Sequence, residues 1–228
     1  MIPRLGVPTE IHDLTQPLAT GSPAYPGDPE IRVDPWPAAL PWRVSGLTLG
    51  SHSGTHLDAP RHFFPDRQGI GAYPPNRFVG SGIVVDASGL EEDALIPIAC
   101  LAPHLSALRP GQFVLLRTGW DRWWGEDRMW RHPHLGEELA TTLIAAGVGL
   151  VGIDAPNVDS TVGGGDRAHH HLLGADILIA ENLRGLTVLE VGRPYLIVIA
   201  PLSLMEADGA PARAFAWPLA AVSPAGAG

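Results

Sequence analysis

The stretch Leu135 to Asp154, LGEELATTLIAAGVGLVGID, indicates the fold class of the chain. In its first part, Gly136 to Ala146, apolar residues recur at helical spacing, and Glu137 and Glu138 occupy the first turn, where a helix favours negative charge. Its second part, Gly149 to Asp154, is a short run of Leu, Val and Ile that is typical of a buried strand. A helix that leads into a buried strand predicts an α/β protein with a mixed β-sheet flanked by helices.

Other short apolar runs, each bounded by turn residues, are predicted to be strands. They are Ser45 to Leu49, Gly82 to Asp86, Phe113 to Thr118, Ile177 to Leu183 and Tyr195 to Leu202. Glu181 lies inside one of them, and a carboxylate in a buried strand needs a partner or a metal. Because the 228 residues contain neither a linker nor a repeat, we expect one domain over 1–222 and a frayed tail of small residues over 223–228.

The composition excludes several classes of function. The formal net charge is −9 and there is no basic cluster, so nucleic acid and anionic membranes are not expected as partners. All 15 basic residues are arginine, which excludes P-loop and Schiff-base lysines. No stretch approaches the roughly 18 to 20 apolar residues that span a bilayer, and the first residues lack a signal-peptide core, so we expect a cytoplasmic protein.

Three histidines cluster around Asp58. In an extended chain every second side chain faces the same side. Four residues that could bind a metal have this even spacing: His52, His56, Asp58 and His62. The arrangement favours a metal site over a polar surface loop. Four residues of straight strand span about 13 Å, however, whereas nitrogen ligands lie about 2 Å from a metal. Either the chain bends at Gly54, which we favour, or the residues serve two metals with Asp58 as a bridge.

The segment His52 to Phe63, HSGTHLDAPRHF, resembles the signature of the cyclase family, which includes bacterial kynurenine formamidase and isatin hydrolase. The similarity continues in Tyr25 to Pro29, Arg117 to Asp121, Gly152 to Asp159 and His169 to Leu183. The resemblance implies a swivelling β/β/α domain and a metal-dependent hydrolase that cleaves an amide C–N bond. It also implies a homodimer or homotetramer in which the segment around Tyr25 reaches a neighbouring subunit.

The resemblance implies five metal ligands: His52, His56, Asp58, His169 and Glu181. In the family the distal histidine lies twelve residues before the glutamate, which indicates His169, with His170 as the alternative. Nitrogen and carboxylate ligands suit Zn²⁺ first and Mn²⁺ as the alternative. The number of ions, one or two per subunit, stays open.

His62 matches the general acid/base of the family. An imidazole, with an unperturbed pKa of about 6.5, can move a proton near neutral pH. The implied mechanism is attack of a metal-bound hydroxide on the amide carbonyl, followed by protonation of the departing amine by His62. The implied small-molecule substrates are aryl formamides, such as N-formylkynurenine giving kynurenine and formate, or cyclic amides such as isatin. A polyketide-cyclase-like activity is a further alternative within the family.

Several residues have weaker cases as supporting or substrate-binding groups. Asp154 and Asp159 would orient ligand imidazoles, although Asp154 equally fits a cap at a strand end. His170 would support the ligands if it is not one of them, and Tyr25 would contact substrate. Four tryptophans would either line an aromatic pocket or, as the simpler alternative, pack in the core or at an interface: Trp120, Trp123, Trp124 and Trp130.

Two interpretations from other classes compete with hydrolysis. The facial triad of non-haem Fe(II) oxygenases is also matched, by His56, Asp58 and His169. In that case His52, His62 and Glu181 would have no explained role. In a metal-binding protein without catalysis, His62 would be dispensable. A serine hydrolase is excluded because the sequence contains no G-x-S-x-G elbow.

Overall fold

A computed structural model describes residue 8, residues 10–37 and residues 41–219. The strands in these residues are β1 (His12–Asp13), β2 (Arg32–Trp36), β3 (Val44–Thr48), β4 (His56–Asp58), β5 (Val79–Asp86), β6 (Leu95–Ile96), β7 (Phe113–Arg117), β8 (His134–Leu135), β9 (Leu150–Ile153), β10 (Leu178–Glu181), β11 (Tyr195–Pro201) and β12 (Gly209–Pro218). The α-helices are α1 (Glu137–Ala145) and α2 (Arg167–Gly174). Short 3-10 helices span Pro60–His62, Ile70–Ala72, Pro75–Arg77, Ile98–Cys100, Ala102–Ala107, Trp120–Trp123, Asp127–Arg131 and Leu186–Val188. The predicted domain boundary at 222 and the predicted tail, 223–228, lie outside the described residues.

Eight of the strands form one mixed sheet in the order β1-β12-β11-β5-β7-β9-β10-β4. The pairs β5–β7, β7–β9 and β9–β10 are parallel, and the other pairs are antiparallel. The last strand in this order, β4, also pairs with β12, so the sheet closes into a barrel. The predicted mixed sheet flanked by helices is confirmed, whereas its closure was not predicted.

The barrel wall separates two apolar clusters, because successive side chains of a strand point to opposite faces. Leu115 of β7 points into the barrel and its neighbour Leu116 points out towards the helices. The inner cluster includes Leu57, Val84, Leu150, Leu178 and Ile197. The outer cluster includes Val85, Val151, Leu139, Leu143, Leu172 and Leu173, so α1 and α2 pack on the outer face of the parallel strands.

The predicted elements correspond to observed ones with ends shifted by at most three residues: the helix is α1, and the strands are β3, β5, β7, β9, β10 and β11. The segment from His52 to His62 is not one extended strand, so the parity expected for its four side chains is wrong. Only His56–Asp58 is a strand, because Pro60, which suits the first turn of a helix, begins a 3-10 helix that carries His62. None of the helices in the described residues is long and apolar enough to cross a bilayer.

Candidate active site

The chain turns sharply between His52 and His56. Gly54, at the turn, has φ = +60°, a left-handed conformation that favours glycine. A Cβ at this position would lie 2.5 Å from Cδ2 of Leu18, so a larger residue would also have to displace that leucine side chain. The turn brings the rings of His52 and His56 to a centroid distance of 5.0 Å. The predicted bend at Gly54 is confirmed.

The strand β4 presents His56 and Asp58 on the outer face of the barrel and Leu57 on the inner face. Its antiparallel pairing with β10 sets Glu181 directly opposite His56, so their side chains meet on the same face. His56 Nε2 lies 3.2 Å from Asp58 Oδ1 and 3.4 Å from Glu181 Oε2. Local strand pairing thus assembles three of the predicted ligands.

The helix α2 brings His169 to the same cluster. The Asp159 carboxylate accepts hydrogen bonds from the backbone N–H groups of Ala168 (2.9 Å) and His169 (3.0 Å), which stabilises the first turn of α2. It also accepts a hydrogen bond from His169 Nδ1 at 2.8 Å. Nε2 of His169 therefore faces the cluster, 3.5 Å from Asp58 Oδ2 and 3.4 Å from Glu181 Oε1.

Two ligand atoms of the cluster are buried without a hydrogen-bond partner: His56 Nε2 and Asp58 Oδ2. The other ring nitrogen of His56, Nδ1, donates to the carbonyl oxygen of Gly54 at 2.8 Å, which fixes the ring with Nε2 towards the cluster. Buried polar atoms without partners are unfavourable and therefore uncommon. A divalent cation is a partner that fits an imidazole nitrogen beside carboxylate oxygens.

The charges of the cluster attract cations. Burial lowers the pKa of His169, but its hydrogen bond to Asp159 and the neighbouring carboxylates outweigh burial and raise that pKa to about 10. Burial likewise opposes the effect of Asp58 on His52, whose pKa is raised to about 9. Burial raises the pKa of Asp58, but the imidazoles of His56 and His52 outweigh it and hold that pKa well below its usual range. Protons and metal ions therefore compete for the same imidazoles.

Asp208, which was not predicted from the sequence, joins His52 and His62. Its Oδ2 lies 2.9 Å from His52 Nε2 and 3.1 Å from His62 Nδ1, and these hydrogen bonds lower the pKa of Asp208. Asp208 directly precedes β12, and the carbonyl oxygen of its backbone accepts a hydrogen bond from Ala59 N at 2.8 Å. No local motif marks this aspartate, because only the pairing of β12 with β4 brings it to the site.

His62 lies at the edge of the cluster with its side chain 30% exposed. Its ring centroid is 4.0 Å from that of His52 and 5.7 Å from that of His169. Because Nδ1 is held by Asp208, Nε2 is the nitrogen available to a substrate. This position suits proton transfer to a molecule bound next to the cluster.

The cluster opens onto a cavity of about 460 Å³, a volume typical of small-molecule sites. His62 lines it, together with several apolar and aromatic side chains: Tyr25, Phe63, Trp124, Met129 and Trp130. The rings of Tyr25 and Trp130 meet edge to face, with centroids 5.8 Å apart. The cavity is therefore suited to an aromatic molecule.

The structure places three of the weaker candidates away from the cluster. Asp154 follows β9 and accepts hydrogen bonds from Thr118 N (2.7 Å) and Gly119 N (2.9 Å), so it joins two strand ends and does not orient a ligand. Trp120 is buried in the outer apolar cluster. His170 is exposed and its Nε2 lies 3.4 Å from the carboxylate of Asp166, which directly precedes α2, because one residue along a helix rotates a side chain by about 100°.

Comparison with known proteins identifies relatives along most of the chain. Residues 12–160 match the family described as "Putative cyclase". The chain is 35% identical to kynurenine formamidase of Bordetella avium (strain 197N) over 211 residues, which cover 89% of this chain and 95% of the relative. It is 31% identical to kynurenine formamidase of Bacillus cereus (strain ATCC 14579) over 217 residues, which cover 91% of this chain and 97% of the relative.

Solved structures share the fold. An isatin hydrolase bound to the product analogue thioisatinate matches with a TM-score of 0.83 at 22% identity, over 92% of this chain and 93% of that chain. A protein described as a "potential metal-dependent hydrolase with cyclase activity" matches with a TM-score of 0.75 at 28% identity, over 91% of this chain and 96% of that chain. The chain therefore belongs to the cyclase family of metal-dependent hydrolases.

Proposed function

We propose that this chain is a metal-dependent amidohydrolase that cleaves the C–N bond of an aryl formamide or a cyclic amide. The observation that carries the proposal is the pair of unpartnered ligand atoms, His56 Nε2 and Asp58 Oδ2, beside an aromatic-lined cavity. The similarity to kynurenine formamidases supports N-formylkynurenine, which would give kynurenine and formate, as the first candidate substrate. Isatin is the alternative.

We infer that the cluster holds one or two Zn²⁺ ions, with Mn²⁺ as the alternative metal. Of the three groups of candidate ligand atoms in the described residues, two share Asp58, one with His52 and His56 and the other with His169 and Glu181. The third group consists of His52, His62 and Asp208. Imidazole and carboxylate ligands without a thiolate suit both metals. When bound, such a cation lowers the pKa of water and polarises a carbonyl group.

The residues around the cluster would supply the rest of the chemistry. In the proposed reaction water adds to the amide carbonyl carbon, the C–N bond breaks, and His62 Nε2 transfers a proton to the departing nitrogen. Asp208 would hold the His62 ring through Nδ1 in the required orientation. The aromatic cavity wall would bind the ring of the substrate and exclude bulk water.

Metal analysis of the purified protein, combined with hydrolysis assays on N-formylkynurenine and isatin, tests this proposal. We expect one or two Zn²⁺ or Mn²⁺ ions per chain and hydrolysis that stops after chelation and returns on adding metal. A chain that binds no divalent metal would contradict the proposal. Consumption of oxygen by the iron-loaded protein would support the oxygenase instead.

We also infer that the chain forms a homodimer or homotetramer. The strands β2 and β3 form a sheet separate from that of the barrel and expose large apolar side chains, with Trp36 63% and Leu47 65% exposed. Exposed apolar surface of this kind is typical of protein interfaces. Light scattering should therefore show an oligomer that Leu47→Asp dissociates, and a monomeric wild-type protein would contradict the inference.

A further inference from the structure

A loop between β9 and α2 supports two of the candidate metal ligands. We call it the ligand loop, and it comprises residues 157–161. Within it the backbone N–H of Val158 donates a hydrogen bond to Glu181 Oε1 at 2.7 Å. The carboxylate of the next residue, Asp159, accepts the hydrogen bond from His169 Nδ1. The orientation of both Glu181 and His169 therefore depends on the position of one short loop.

The small parallel sheet β6–β8 is attached to the ligand loop. In β8 the backbone N–H of Leu135 donates a hydrogen bond to the carbonyl oxygen of Val158 at 2.8 Å. The hydroxyl group of Ser160 donates to the carboxylate of Asp93, which lies shortly before β6. Elements that contribute no candidate ligand thus hold the backbone that supports two of them.

His132, shortly before β8, adds a buried side-chain contact to the same loop. Its side chain is 0% exposed. Nδ1 lies 3.0 Å from the carbonyl oxygen of Pro133, which can only accept, so Nδ1 carries the proton. Nε2 therefore accepts the hydrogen bond from the hydroxyl group of Thr161, at 2.8 Å. Burial lowers the pKa of His132, which keeps the ring neutral near pH 7 and preserves Nε2 as an acceptor.

We propose that His132 and Thr161 are positioning residues for the metal cluster. Their hydrogen bond fixes the ligand loop and, through Val158 and Asp159, the orientation of Glu181 and His169. The inference rests on the proposed function, because it takes Glu181 and His169 to be metal ligands. Ligands that are oriented before the cation arrives lose less conformational freedom on binding it, so the cation binds more tightly.

Substitution of Thr161 tests the hydrogen bond with little change of shape. Titration of the metal-free protein with Zn²⁺ in competition with a chelator should show a Kd about tenfold higher in Thr161→Val, the lower end of the effect of groups that orient ligands. Thr161→Ser keeps the hydroxyl group and should bind Zn²⁺ like the wild type. An unchanged Kd in Thr161→Val would overturn the inference, and so would an equal loss in Thr161→Ser.

Two further variants show whether the effect belongs to this contact. Thr141→Val makes the same change at an exposed position of α1, where the hydroxyl group donates to carbonyl oxygens of its own helix, and should leave the Kd unchanged. His132→Phe removes the acceptor of the hydrogen bond and should raise the Kd at least as much as Thr161→Val. The double variant should then be no weaker than His132→Phe, because both changes remove one interaction. Additive losses would mean that the two residues act separately, and the inference would be wrong.

Melting temperatures distinguish positioning from a general effect on stability. A cation that binds the folded state raises the melting temperature, and weaker binding at the same Zn²⁺ concentration raises it less. The difference between the Zn²⁺-loaded and chelated forms should therefore be smaller in Thr161→Val than in the wild type. A variant whose two forms melt lower by the same amount, with an unchanged Kd, would show a purely structural role and contradict the inference.

Amide hydrolysis is measured separately from Zn²⁺ affinity. A wild type that hydrolyses N-formylkynurenine or isatin, with variants that bind Zn²⁺ equally well, keeps the proposed function and loses this inference. A wild type that binds Zn²⁺ and hydrolyses neither amide loses the proposed function, whereas a tenfold weaker Thr161→Val still supports the positioning role. A wild type that binds no divalent metal would refute both.

Discussion

Leu57 and Asp58 are neighbours in β4, are equally inaccessible to water, and differ completely in their surroundings. Both side chains are 0% exposed. Leu57 points into the barrel among apolar side chains, whereas Asp58 points outward into a cluster of imidazoles and a second carboxylate. Burial on the inner face stabilises the fold. Burial on the outer face costs free energy in the metal-free chain, and a bound cation would offset that cost. One strand thus divides folding and ligand binding between its two faces.

Removing the Asp58 carboxylate should have the largest effect on activity. Asp58 belongs to two of the three groups of candidate ligand atoms in the described residues. We expect Asp58→Asn to lose bound metal and to lose activity to below detection. Because a ligand that binds only the folded state stabilises it, chelation should lower the melting temperature of the wild type and leave that of the variant unchanged. An Asp58→Asn protein with full metal content and full rate would refute the site.

Replacement of His62 should have the next largest effect. We expect His62→Gln to lower kcat/KM by about 10² to 10⁴, the range found for a general acid or base, while the metal content stays that of the wild type. Measuring both the metal content and the rate of the variant distinguishes a role of His62 in proton transfer from a role as a metal ligand. Unchanged kinetics would instead favour a metal-binding protein in which His62 has no catalytic part.

Asp159 should act through His169, and its replacement should have a moderate effect. Asp159→Asn leaves one accepting oxygen in place of the two that bind Ala168 N, His169 N and His169 Nδ1. The ring of His169 is then held less firmly, so the variant should weaken metal binding by about 10- to 100-fold. Asp166→Asn is the matched control, because it removes an exposed carboxylate at the same end of α2. Equal losses in both variants would mean that the charge near the helix end matters and the hydrogen bond does not.

Truncation of Leu57 should have the smallest effect on activity and a clear effect on stability. Leu57→Ala leaves a cavity in the barrel core and should lower the free energy of unfolding by about 2 to 5 kcal/mol in chemical denaturation. The folded fraction should retain its metal and its rate. Loss of metal from folded Leu57→Ala would show that the two faces of β4 are not independent.

The sequence was sufficient to predict local structure wherever residues that are close in the chain are also close in space. The α1–β9 unit follows from apolar spacing, and the bend at Gly54 follows from the distance that His52 and His56 must close. The parity expectation for His62 failed because it extended a strand through Pro60, where a 3-10 helix begins. The end of the strand depends on local backbone chemistry, and Pro60 was the residue from which it could have been predicted.

Long-range contacts could not be predicted in the same way. Asp208 lies 146 residues after His62, and no spacing rule connects them. The choice of His169 among three adjacent histidines came from the family resemblance. In the structure the rotation of α2 turns His169 inward and leaves His170 exposed. The position of a side chain around a short helix depends on how that helix packs, which the local sequence does not determine.

The double pairing of β4 also has a kinetic consequence. Asp58 lies opposite Ile179 in β10 and opposite Gly209 in β12, each more than a hundred residues further along the chain. Contacts of such high sequence separation require the closure of long loops and tend to form slowly during folding. The candidate ligands His56, Asp58 and Glu181 meet only when β4 has paired with β10. Chains in which this pairing has not formed therefore lack the assembled site, and the appearance of tight metal binding during refolding would report that pairing.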